Sequence, residues 1–141
     1  MKSLFIALMG LVIASNAFAT SEFICSTKVD ERTGYYVKGV MKLKVLSGTS
    51  IFVQPFDSED RSWLPGSTGK LTGKNANTGA ARFSGFRSSD LFGDLSEGAA
   101  SSIYFYVSSD VLAGKSGSVS LFAAGSETGL EKATYGCKLK K

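Results

Sequence analysis

The stretch Tyr35-Tyr36-Val37-Lys38-Gly39-Val40-Met41-Lys42-Leu43-Lys44-Val45-Leu46 decides the fold class. Tyr35, Val37, Gly39, Met41, Leu43 and Val45 fall on one side of an extended chain. Lys38, Lys42 and Lys44 fall on the other, beside Tyr36, Val40 and Leu46. Alternation with a period of two over this length marks a half-buried β-strand, because successive side chains of a strand point to opposite faces.

Upstream, segment 22–29 alternates Phe23, Cys25, Thr27 and Val29 against Glu22, Ile24, Ser26 and Lys28. Asp30-Glu31-Arg32-Thr33-Gly34 then joins two strands as a hairpin loop containing a glycine. Downstream, the same pattern predicts strands over 51–56, 80–88, 101–109, 118–124 and 130–139, with 70–74 a short strand or turn arm. In 80–88, Phe83 and Phe86 are expected on opposite faces, with Gly85 at a bulge. In 101–109, Ile103, Phe105 and Val107 oppose Tyr104 and Tyr106. In the last strand Ala133, Tyr135, Cys137 and Leu139 share a face, with Lys132, Thr134, Lys138 and Lys140 opposite. Residues 57–69 and 89–100 read as loops, the second with a short helical turn anchored by Leu91-Phe92 and Leu95. Asp110–Gly117 reads as a turn with Val111-Leu112-Ala113 as an extended arm.

No sustained helical period occurs. Short strands joined by Gly-, Ser- and Asn-rich turns at about ten-residue spacing predict an all-β fold, a single small antiparallel β-barrel or closed β-sandwich of about seven to eight strands.

Residues 1–19 read as a secretory signal peptide. Lys2 is followed by an apolar run from Leu4 to Ala14, then by Ala17-Phe18-Ala19, the small-x-small pattern of a cleavage site. The short basic region has a bacterial look, and the apolar run is shorter than the ~20 residues that span a bilayer. No membrane span is expected after cleavage, so the chain is expected to be exported, periplasmic or secreted. Removing residues 1–19 from the 141 leaves 122, enough for one all-β domain over 20–141. The formal charge of +4 falls to +3 once Lys2 is gone. A membrane-embedded barrel needs an apolar outer band, which the outward lysines of 35–46 and 130–140 do not supply.

Export changes how the two cysteines are read. In an oxidising compartment Cys25 and Cys137 form one disulfide, and both sit on apolar faces of the first and last strands. The bridge requires those strands to lie side by side or across a thin core. If the first strand also pairs with the second by hairpin, three strands lie in a row. Their outward residues then gather a candidate anion-binding face: Lys28, Lys38, Lys42, Lys44, Lys132, Lys138 and Lys140. Such a face can meet an anionic surface, glycan or protein. It can equally be a solvated wall whose lysines discourage strand-edge association. The use of Lys rather than Arg argues against precise phosphate recognition, and nucleic acid is not an expected partner.

The chain has no histidine, which excludes the commonest general base and His-paired nucleophiles. It has no Gly-rich phosphate loop. No catalytic residue, metal ligand or cofactor is assigned. Asp57-Ser58-Glu59-Asp60 lacks the ligand spacing of a calcium loop, and Asp90 with Asp94 has no spacing that sets it apart as a glycosidase pair. Trp63, Tyr104 and Tyr106 are candidate aromatic contacts for sugar rings, or else cover parts of the core. The expected function is a non-catalytic binding or interaction protein with a basic outer face. Two alternatives stand beside it: a small apolar-ligand carrier with a cavity inside the barrel, and an inhibitor of an exported enzyme acting through the 57–69 loop.

Overall fold

In the computed structural model of the chain, residues 20–29, 36–93, 100–125 and 129–141 are described. The strands are β1 (Ser21–Ser26), β2 (Val40–Ser47), β3 (Ser50–Asp57), β4 (Ser62–Trp63), β5 (Ser67–Lys74), β6 (Ala81–Ser84), β7 (Ser102–Val107), β8 (Gly117–Gly125) and β9 (Gly129–Leu139). Two single helical turns are α1 (Ser88–Phe92) and α2 (Ser109–Leu112). The sheet order is β2-β1-β9-β8-β7-β6-β5-β3-β4, with β2 also paired to β3. Every pairing is antiparallel. All strands except β4 therefore close into an eight-stranded up-and-down barrel, which leaves no free sheet edge.

The alternation in the sequence sets which side chains fill this barrel. Phe23, Leu43, Ile51, Val53, Phe83, Val107 and Val119 have no exposed surface, and Phe105 and Leu121 have 1%. They belong to one continuous cluster. An eight-stranded barrel is just wide enough for its inward side chains to fill it. Burying each large apolar side chain contributes about 1.5–3 kcal/mol.

Cys25 stands opposite Cys137 in the β1–β9 register, and the two are disulfide-bonded with their Cα atoms 4.0 Å apart. The first strand thus lies between the second and the last. The disulfide is consistent with an oxidising compartment.

The structure departs from the sequence reading at several places. Tyr36 is buried rather than outward, because β2 begins only at Val40 and residues 36–39 are not in a strand. The Tyr36 ring instead meets Phe92 of α1, with centroids 5.0 Å apart. β6 ends at Ser84, earlier than expected. Gly85, at φ 85°, turns the chain with a backbone conformation that residues with a Cβ rarely adopt. Phe86 therefore packs against the core and meets the Phe105 ring at 5.0 Å. β5 starts at Ser67 and β4 lies within the expected 57–69 loop, so about half of that segment is strand: β4 pairs with β3, Phe56 opposite Trp63. Val111-Leu112 lies in the helical turn α2 rather than in an extended arm, with the Ser108 hydroxyl accepting from the Val111 N–H. Val29 lies past the end of β1 and is exposed. The helical turn expected at Leu91-Phe92 is present as α1. The expected hairpin loop 30–34, Tyr35, Asp94 and Leu95 lie outside the described residues.

Candidate functional site

The candidate lysines separate into groups once the barrel is closed. Lys138 and Lys42 stand on either side of Ile24 in one cross-strand row. In the next row Glu22 is opposite Lys44, and the Lys140 Nζ lies 3.7 Å from the Glu22 carboxylate. These four lysines lie on β2 and on β9 or just past it, the two hydrogen-bonded neighbours of β1. Strands pack about 4.8 Å apart, so Lys138 and Lys42 are anchored about 10 Å from one another. Two ammonium groups are held by rings: Lys42 Nζ lies 4.1 Å from the Trp63 centroid, and Lys44 Nζ 5.8 Å from that of Phe52. A cation over an aromatic face is attracted by the ring quadrupole, which keeps these side chains against the wall.

Lys28 and Lys38 lie beyond the ends of β1 and β2. Lys38 lines a cleft of about 810 Å³ at that end of the barrel, together with Asp57, Glu59 and Asp60. Asp57 Oδ1 accepts from the backbone N–H of Glu59 at 3.0 Å, which folds these acids into a tight turn. Among the described residues no group of His, Cys, Asp and Glu is placed to hold a metal ion. Asp90 is paired with Arg87 at 3.8 Å.

Lys132 belongs to neither group. It lies opposite Phe122 on β8, with its Nζ 5.6 Å from the ring centroid. The three candidate aromatics also divide. Trp63 is on the hairpin arm β4, edge-on to Phe56 at 5.1 Å and beside Lys42. Tyr104 and Tyr106 face outward from β7 on the far side of the barrel. They line a second hollow of about 520 Å³ with Phe122 and Leu130. Phe122, Leu130 and Arg82 were not singled out from the sequence, although Phe122 occupies an outward position of an alternating strand.

Within the 57–69 segment, residues 58–61 form the turn between β3 and β4. Leu64 N–H donates to the Pro55 carbonyl at 3.0 Å, and Gln54 Nε2 donates to the Leu64 carbonyl at 2.9 Å. Phe23, Phe83, Phe92 and Phe105 belong to the buried core cluster, and Phe86 packs against it. Comparison of the chain with family models, curated proteins and solved structures finds no match in any of the three.

Proposed function

We propose that the chain is a non-catalytic, exported binding protein that docks an anionic partner on the basic wall formed by β9, β1 and β2. The observation that carries this reading is the pair of rows Lys138–Ile24–Lys42 and Lys140–Glu22–Lys44. They present four ammonium groups around a single carboxylate on a rigid sheet. A wall of fixed cations raises the local concentration of an anionic partner and steers its approach. The packed interior favours a surface role over carriage. The oxidising compartment implied by the disulfide agrees with a periplasmic or secreted setting.

Trp63 is the only tryptophan and touches Lys42, so it reports on this wall directly. Dextran sulfate titrated into the protein should change Trp63 emission, and uncharged dextran should not. Binding should weaken as salt rises, because exposed charges are screened over about 8–10 Å at ordinary ionic strength. Lys42→Glu combined with Lys138→Glu should abolish the response. Salt-insensitive binding, or full binding by that double variant, would exclude the basic wall as the docking surface.

A further inference from the structure

Beyond β9 from the basic wall, β7 and β8 carry outward aromatic rings that the proposed docking surface leaves unused. Two cross-strand rows build this surface. In one, Arg82 faces Tyr106, Tyr106 faces Ser120, and Ser120 faces Thr134; in the other, Tyr104 faces Phe122 and Phe122 faces Lys132. The rings contact diagonally as well, Tyr106 meeting Phe122 edge-on at 5.4 Å. A cation closes each side: Arg82 Cζ lies 5.6 Å from the Tyr104 centroid, and Lys132 Nζ lies 5.6 Å from that of Phe122. Tyr104 is 37% exposed and Leu130 61% exposed. The rings and Leu130 line the 520 Å³ hollow, and the rest of its lining is largely polar, including Asn75, Thr78, Ser109, Ser118 and Ser120.

We propose that this hollow is a saccharide site that takes a chain of sugar rings bearing carboxylate groups. Aromatic side chains offer large, rigid contact area at low entropic cost, which suits the C–H faces of sugar rings. The surrounding hydroxyls and the Asn75 amide both donate and accept, as vicinal sugar hydroxyls require. No carboxylate lines the hollow among the described residues, while Arg82 and Lys132 flank it. That charge balance selects an acidic over a neutral chain. The Arg82 guanidinium is anchored from behind, its Nε donating to Thr72 Oγ1 at 3.2 Å and its Nη2 to the Thr72 carbonyl at 3.1 Å. A guanidinium has five N–H donors, so others are left for a carboxylate. A single-stranded nucleic acid is the less suited occupant. Such a strand uses a positively charged groove that tracks its backbone, whereas among the described residues only Arg82 and Lys132 are placed against these rings. The site shares only β9 with the basic wall, and Lys132 lies six residues, about 20 Å, along that strand from Lys138.

The test is calorimetric titration with three probes: a uronic acid hexasaccharide, a neutral hexasaccharide of matched linkage, and an oligothymidylate. The uronate chain should bind, and the neutral chain should bind at least several-fold more weakly. Tyr104→Ser and Phe122→Ser should each weaken uronate binding roughly tenfold, the order expected for losing one ring contact. Arg82→Gln should remove most of the preference for uronate over the neutral chain. A Lys42→Gln, Lys44→Gln, Lys138→Gln variant, which alters only the basic wall, should bind the uronate chain as the parent does. Thermal unfolding of each variant identifies any that fails to fold, and Arg82→Gln, on the outer surface, then carries the test. The proposal is overturned if the uronate chain does not bind, if the neutral chain binds equally, or if oligothymidylate binds more tightly. It is also overturned if only the basic-wall variant loses binding.

Discussion

The Tyr135 hydroxyl donates a 2.7 Å hydrogen bond to the Lys38 carbonyl, joining the last strand to the segment that leads into the second. Tyr135 is 1% exposed, and burial pushes its phenol well above the ordinary tyrosine value. A carbonyl only accepts, so the bond requires the phenol proton. Tyr135→Phe should therefore destabilise the fold by about 1–3 kcal/mol, the cost of leaving a buried polar group unpaired. Urea unfolding at neutral pH measures this.

The same pair predicts a pH dependence. Above the ordinary tyrosine value near 10, the unfolded chain loses this proton while the folded chain keeps it. The folded state then binds more protons, so stability falls as pH rises, by up to about 1.4 kcal/mol per pH unit for one group. Tyr135→Phe should show a shallower alkaline decline than the parent between pH 9 and 11. Parallel declines would show that Tyr135 contributes nothing to it.

The Cys25–Cys137 bridge closes a loop with a sequence separation of 112. Constraining the unfolded chain over such a loop stabilises the fold by about 3–5 kcal/mol in the chain-entropy view. Unfolding with and without reductant should show a loss of that order. The reduced chain should keep its far-ultraviolet signature below the transition, because the β1–β9 hydrogen bonds do not depend on the sulfurs. Complete unfolding of the reduced protein without denaturant would mean the bridge holds the barrel closed alone.

Gly69 faces the core on β5, and a Cβ there would overlap the Phe86 ring. Gly69→Ala should cost about 1–3 kcal/mol through overpacking. Gly48 has open space around it and should accept alanine with little change. Paired denaturant curves of the two variants check the contrast.

Lys42→Met removes the charge above Trp63 and retains the stem. An exposed cation–π contact is worth about 0.5–1 kcal/mol, so stability should fall by no more than that. Trp63 emission should change even without a partner. An unchanged spectrum would indicate that the ammonium does not rest on the ring in solution.

Strand parity was legible in the sequence because it is a property of one extended chain. Met41, Leu43 and Val45 alternate inward, as do Ile103, Phe105 and Val107, with no information needed from a neighbour. Parity alone misplaced Tyr36 and Phe86, since neither lies in a strand and the rule does not apply outside one. For the candidate site, parity identified outward lysines but not their company. Lys132 and Lys138 share a face of β9, yet six residues at about 3.4 Å each separate them by about 20 Å along the strand.

The sequence by itself determined an all-β chain, the side of each long strand that faces the core, and, under the expectation of export, the bond between Cys25 and Cys137. Only the tertiary structure decided that the sheet closes with β2 against β3. It also decided that Lys42 lies over Trp63, and that Arg82, Tyr104, Phe122 and Lys132 come together from four strands. The division follows from range: alternation is fixed by the geometry of each residue's own backbone, whereas lateral neighbours are fixed by pairing and register between segments far apart in the chain.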